Sequence, residues 1–232
     1  MTKCLFYSKH KEVSNDPKFH REPPGGTMGL TTERKEAVVR ILNNSSKDIL
    51  AVGVGHKYSS DFKDKHYFSG PIKKGETTRE TMDVSYNIGS LTTGKDWWLV
   101  TWVTSDGYGH ITTPNNFRDI IDKFEVILDK ILNPLAVIVA SVVSAATTGG
   151  AAEPLAIAAA TLVVSTIVEA LINNEATAGY KQHILREEDG DNVITITDNG
   201  VTFHSKSGDS NTVFSSFAAE KDKDGKPVLK WG

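Results

Sequence analysis

The sequence predicts an α+β protein: an antiparallel β-sandwich formed by N- and C-terminal strands, with a mid-chain insertion of three helices that includes an apolar helical hairpin. Three observations carry this. Strand-like runs with turn residues between them occupy both ends of the chain. The hydrophobic period switches from two to 3.6 near residue 117. The stretch from Asn133 to Ile172 holds two acidic residues, Glu153 and Glu169, and no Lys or Arg.

Residues 1–34 are polar, with Pro23-Pro24-Gly25-Gly26 as a breaker, and read as an N-terminal arm. Within the arm, Leu5, Phe6 and Tyr7 offer a short edge strand. Residues 35–232 read as one sandwich domain, with the helical insertion at about 115–175. Ala37–Leu42 and Ile49–Tyr58 are the first strands, parted by the turn chemistry of Asn43–Asp48. Gly53 and Gly55, two apart, leave one face of the second strand bare, which suits close approach of another backbone or a large aromatic. The segment from His66 to Glu76 carries two turn signals, and alternation from Thr78 to Tyr86 gives a third strand. In Asp96–Thr104, Trp98, Val100 and Trp102 fall on one face and Trp97, Leu99, Thr101 and Val103 on the other. Apolar residues on both faces predict a central strand covered on both sides, with the tryptophans in the core.

Phe117, Ile120, Ile121, Phe124, Ile127, Leu128 and Ile131 keep helical spacing, with charged residues on the other faces. Asn133-Pro134 predicts a break there, and a second helix from Pro134 to Thr148. Gly149-Gly150 predicts a tight reversal into a third helix, Glu153 to Asn173. After it, strands are expected at Lys181–Leu185, Asn192–Thr197, Val201–Ser205 and Thr212–Ala218, with Asp198-Asn199-Gly200 as a hairpin turn and a charged tail to finish.

At 1.5 Å per residue the two apolar arms would be about 22 Å and about 31 Å long, so only the second matches a bilayer core of about 30 Å. Small residues four apart (Ala136, Ala140, Ser144, Thr148; Ala152, Ala156, Ala160) suit close helix–helix packing. Thr161, Ser165 and Glu169 form a weak polar stripe where a surface helix would carry charge on a whole face. Such a hairpin is either the buried centre of a domain, a stored membrane-active element, or an oligomer interface.

Several chemistries find little support. The net charge of −3 and the lack of any basic stripe argue against nucleic acid. One cysteine, Cys4, forbids an intrachain disulfide. The N-terminus has charges where a signal peptide needs its apolar run, so the chain is expected to be cytoplasmic as synthesised, with later release or membrane association left open. Gly208-Asp209-Ser210 resembles a serine-hydrolase block without the strand-to-helix elbow. Gly53–His56 lacks the third glycine and following helix of a dinucleotide fingerprint. His56, His66, His110, His183 and His204 show no zinc spacing. Glu187, Glu188, Asp189 and Asp191 read as a solvated loop rather than a general acid and base, with weak calcium binding left open. No catalytic, cofactor-binding or metal residue is therefore assigned.

The blocks ILNNSSKDILAVGVGHKYS, DWWLVTW, NFRDII, TAGYKQHIL and FHSKSGDS, in this order, resemble a family of fungal, nematode and bacterial domains named as up-regulated in long-lived nematodes with reduced insulin-like signalling. The likeness covers roughly Ala37 to Ala218 and implies no catalytic residues. More loosely, the opening blocks resemble the lipid-binding sandwiches of actinoporin-like and aegerolysin-like cytolysins, which lack a long apolar hairpin.

The expectation for function is a non-enzymatic, membrane-active, toxin- or defence-like protein whose hairpin inserts or drives homo-oligomers, with membrane lipid or a protein as partner. Val137, Val139, Val143, Leu155, Leu162, Val163 and Ile167 are the insertion candidates, and Tyr67, Phe68 and Tyr108, placed in turns, the interfacial aromatics. The alternative is a soluble stress-associated binding module whose helices complete the core.

Overall fold

The computed structural model describes residues 32–232 except 60, 90–91, 93, 115–116, 149–152, 174–176, 178 and 187–189, and only the backbone of 117, 119, 142–148 and 153. Residues 1–31 of the N-terminal arm, with Leu5, Phe6 and Tyr7, the Gly149-Gly150 reversal and the acidic loop 187–189 thus lie outside the described residues, while residues 32–34 of the arm open the first strand. Residues 31–232 form one compact unit.

The elements are β1 (Thr32–Asn43), β2 (Ile49–Tyr58), β3 (Phe62–Ile72), β4 (Met82–Gly89), β5 (Asp96–Thr104), β6 (Gly109–Thr112), α1 (Phe117–Thr148), α2 (Glu153–Ile172), β7 (Lys181–Gln182), β8 (Asp191–Ile196), β9 (Val201–Ser205), β10 (Gly208–Thr212), β11 (Phe214–Lys221) and β12 (Pro227–Trp231). One sheet has the order β10-β9-β8-β1-β4. The other runs β12-β11-β6-β5-β2-β3, with β7 also paired to β5. Both chain ends contribute to both sheets, as expected of a sandwich interrupted by helices. The pairing is antiparallel apart from β1 against β8, which is parallel.

The protein is α+β with two facing sheets, and α1 and α2 form a third layer. Val52, Val54, Trp98, Val100 and Trp102 of the larger sheet share a core with Val39, Ile41, Val84, Tyr86, Ile194 and Phe203 of the smaller one. The opposite face of the larger sheet, through Ala51, Leu99, Val103, Ile111 and Phe217, shares a second core with the helices. This is why all ten residues of β2 are buried. It is also why β5 reads as apolar on both faces. Trp98 and Trp102 lie fully inside the inter-sheet core, and Trp97, half-buried, faces the helical side.

The expected break at Pro134 does not occur. The described residues form two helices, and α1 runs through the proline for 32 residues. An internal proline removes one backbone donor and costs about 3 kcal/mol. Here the carbonyl left without a donor belongs to exposed Lys130, where solvent can serve it. Leu132, Leu135 and Ile138, buried on both sides of Pro134, hold the helix by packing. At the charged end of α1, Phe124 meets Phe217 of β11 and Trp231 of β12 edge-on, with ring centroids 5.2 and 4.9 Å away. The C-terminal tail is therefore a strand clamped under α1.

A buried ionic cluster ties the larger sheet together beside its tryptophans. His56 of β2 is fully buried, with Nδ1 3.1 Å from Asp64 Oδ2 of β3 and Nε2 2.9 Å from Asp96 Oδ1 of β5. Carboxylates only accept, so both ring nitrogens donate and the ring is imidazolium. Burial alone would push its pKa down. The hydrogen bonds and charges of Asp64 and Asp96 outweigh that and hold it above its ordinary value. Asp64 and Asp96 also accept backbone N–H groups of Ser85 and Leu185, both at 2.8 Å.

Candidate functional site

The feature that sets this chain apart is the apolar hairpin, and its two sides differ. The inner side of α2 is core: Ala160, Val163, Val164, Ile167 and Val168 are all 0% exposed. It lies close to β2 because Gly53 and Gly55 present no side chains. A Cβ added at Gly53 would stand 2.9 Å from Val168 Cγ2 and 3.1 Å from the Val164 carbonyl oxygen. The bare face read from the sequence is the seat of α2.

The outer side is different. Leu155 is 60% exposed, Leu162 52% and Val137 37%, and Ala136, Ala140 and Ala158 are exposed with them. The charged residues of α1 end at Lys130, and the next in the chain are Glu153 and Glu169, at either end of α2. The outward surface thus has no charged rows of its own. Two of its hydroxyl groups are turned back on the helix: Thr161 Oγ1 donates to the Ile157 carbonyl at 2.9 Å, and Ser165 Oγ to that of Leu162 at 3.1 Å.

The C-terminal end of α2 is tied down electrostatically. Glu169 accepts hydrogen bonds from Lys65 Nζ and, at 2.7 Å, from Tyr67 Oη of β3. The Lys65 bond and then the Tyr67 bond hold the Glu169 carboxyl below its usual range, while burial and this carboxylate push the Tyr67 phenol up. Deeper, Lys57 Nζ donates to the Leu171 carbonyl at 3.2 Å and sits 4.2 Å from the centre of the Tyr180 ring. A cation at a helix C-terminus complements both its open carbonyls and its dipole. Burial, with the charge of Lys63 second, lowers the Lys57 pKa to about 8.

The predicted residues separate accordingly. Val137, Leu155 and Leu162 lie on the outward face and Val139 is half-buried, while Val163 and Ile167 point into the core. The side chain of Val143 lies outside the described residues. Tyr108 is 47% exposed beside the β5–β6 turn, and Tyr67 is half-buried on Glu169. Phe68 is 1% exposed inside β3, so its expected place in a turn is corrected: the segment read as turns is a strand paired with β2.

Sequence reasoning missed Lys57 and the His56 cluster. The available signal was a His-Lys pair inside a strand otherwise fit for burial, which demands partners. Among the described residues, no group of three or more His, Cys, Asp or Glu side chains is placed to hold a metal ion.

A family model described as up-regulated in long-lived daf-2 matches residues 33–214, well over half of the chain. The chain belongs to this family. The match to the long-lived daf-2 family starts in β1 and ends at the first residue of β11, so it takes in both helices and leaves β12 outside. A search of the curated proteins gives no match. Family membership supplies no activity, and the functional argument rests on the hairpin.

Proposed function

We propose that this is a non-catalytic, membrane-active protein of toxin- or defence-like character, whose helical hairpin is the element that engages lipid. The observation that carries the reading is the uncharged, apolar outward face of the hairpin around Val137, Leu155 and Leu162. A solvent-facing helix in a water-soluble protein is ordinarily lined with charge there, and contiguous exposed apolar surface marks an interaction site. The back-bonded hydroxyls of Thr161 and Ser165 need no water, as a lipid-facing helix requires. Residues 154–172, with mean hydropathy 2.3, are long enough to cross a bilayer.

Contact begins with the outward face alone, because it needs no unfolding. Deeper insertion requires α2 to leave β2, which breaks the Glu169 and Lys57 ties and exposes the Val163–Val168 face for packing against lipid or further copies. The hairpin carries no cation between residues 133 and 172, so attraction to anionic lipid adds little. Half of the 154–172 window is buried, which favours the second reading: a soluble binding module whose helices complete the core.

Vesicle co-flotation and dye release separate the two readings. The protein is expected to float with, and empty, neutral and anionic vesicles alike between about pH 5 and about pH 7.5. The Leu155→Asp/Leu162→Asp variant changes two exposed positions, so its melting temperature should stay within about 2 °C of wild type. Its vesicle binding should fall at least about tenfold, the size of effect expected for a charge placed against hydrocarbon. Flotation of neither protein, or equal flotation of both, would sink the lipid reading.

A further inference from the structure

Away from the hairpin, an open groove of 730 Å³ lies where the end of β5, the two residues of β7, the β8–β9 turn and the end of β10 meet. We propose that this groove binds a neutral carbohydrate, with Trp97 as its aromatic platform. Trp97 is half-buried, held at its back by the helical core, and pairs across the ladder with Gln182. Around it the groove is lined by Lys181, Gln182, Asn199, Thr202 and Asn211.

The chemistry of this lining selects the ligand. Among the described residues, the side chains of Gln182, Asn199 and Asn211 have no hydrogen-bond partner, and neither does the Thr202 hydroxyl. Each amide offers two donors and two acceptor lone pairs, and a hydroxyl offers both roles. A ligand rich in hydroxyl groups matches that mixture better than a pure donor or a pure acceptor. The described lining contains no carboxylate to hold a cation and only one cation, Lys181, too little for a polyanion. An indole beside free amides then fits a sugar ring, which has an apolar C–H face and a polar rim. The volume lies within the range of about 300–1,000 Å³ usual for small-molecule sites. The openness of the groove suits one or two units of a longer chain better than an engulfed metabolite. None of the lining residues belongs to α1 or α2, so the proposal stands independently of the lipid reading.

The test is saturation-transfer NMR on the full chain with a panel of glucose, galactose, mannose, N-acetylglucosamine and their β-linked disaccharides. At least one sugar should show transfer and a Kd of about 1 mM, the affinity expected of a shallow polar site. Trp97→Ala removes core packing as well as the platform, so Asn199→Ala/Asn211→Ala, at two exposed positions, is the deciding variant. It should weaken binding at least about tenfold with an unchanged melting temperature. No transfer from any sugar at about 20 mM, or undiminished binding by the double variant, overturns the proposal. Phosphatidylcholine vesicles with and without galactosylceramide identify the source of a bound sugar. Greater flotation with the glycolipid, kept by Leu155→Asp/Leu162→Asp and lost by Asn199→Ala/Asn211→Ala, places the sugar on a lipid headgroup. Sugar binding without that gain places it on a free or protein-linked glycan.

Discussion

His56→Leu is expected to destabilise the protein by about 3–5 kcal/mol, the largest effect of any single substitution considered. The loss comes from what remains: Asp96, 0% exposed, and Asp64 are left facing each other with no cation between them. Each keeps one backbone donor, Leu185 N for Asp96 and Ser85 N for Asp64, which does not neutralise them. His56 also lies against Trp98, with ring centroids 4.3 Å apart, so the leucine must fill a space shaped for a ring. Replacing all three with apolar residues of similar volume should recover most of the loss, because the whole cluster pays desolvation that its internal attraction only offsets. Urea unfolding at neutral pH reads both outcomes, and a cost under about 1 kcal/mol for His56→Leu would remove the cluster from this account.

The same cluster sets a pH dependence. The folded pKa of His56 is raised above its ordinary value, so the folded state holds this proton more tightly than the unfolded chain. Its contribution is complete below the unfolded value of about 6.5 and is lost as pH rises through the raised folded value. The stability difference between wild type and His56→Leu should therefore shrink on the alkaline side. Lys57 acts in the opposite sense. Its folded pKa of about 8 lies below the unfolded value, so its penalty is relieved as pH rises from there. The difference between the two proteins, rather than the wild-type curve, isolates His56.

The second large effect is expected at Gly53. Gly53→Ala puts a methyl group 2.9 Å from Val168 Cγ2 and 3.1 Å from the Val164 backbone oxygen. The side chain can shift, but the carbonyl belongs to α2 itself, so the helix must move off the sheet. Overpacking of this kind costs about 1–3 kcal/mol. Loss of glycine's unfolded-state freedom returns about 0.4–1 kcal/mol, which does not cover it. Gly55→Ala is the matched control. Its Cβ would find Ile172 and Val168 at 3.5 Å, an ordinary contact, so it should be neutral or slightly stabilising. Hydrogen exchange should show faster opening from Val164 to Ile172 in Gly53→Ala and not in Gly55→Ala. Equal behaviour of the two variants would mean that α2 is not seated as described.

Much of this was legible along the chain because it rests on local pattern. The double-faced apolarity of β5 marked a middle layer, and the paired glycines of β2 marked where another backbone or a large aromatic would press. Of the strands that escaped notice, β6 is only four residues long and β3, β10 and β12 lack that pattern. β3 alternates exposed and half-buried positions through Lys63, Asp64 and Lys65 and carries Gly70-Pro71 near its end, which reads as turn. β10 is a largely exposed edge strand of polar residues, and β12, whose Leu229 and Trp231 pack on the helical core, is five residues long and follows a run of charge. Pro134 misled because the residues that outweigh its cost, Leu132, Leu135 and Ile138, act through tertiary packing. The His56 cluster joins residues 40 positions apart at its widest, a pairing set only by strand order. For the hairpin, the sequence defined its length and missing charge, whereas which residues face outward depended on where β2 stands.

That outward face can be observed directly. In a Cys4→Ser background, the only native thiol is gone, and Leu162→Cys or Asp224→Cys can each carry a nitrobenzoxadiazole label. Leu162 is on the apolar face of α2, and Asp224 is exposed in the β11–β12 turn. On addition of phosphatidylcholine vesicles, the label at residue 162 should brighten and shift to the blue as it enters hydrocarbon, while the label at residue 224 stays unchanged. Unchanged emission at residue 162, with the protein folded and vesicles in excess, would contradict the claim that this hairpin meets the membrane.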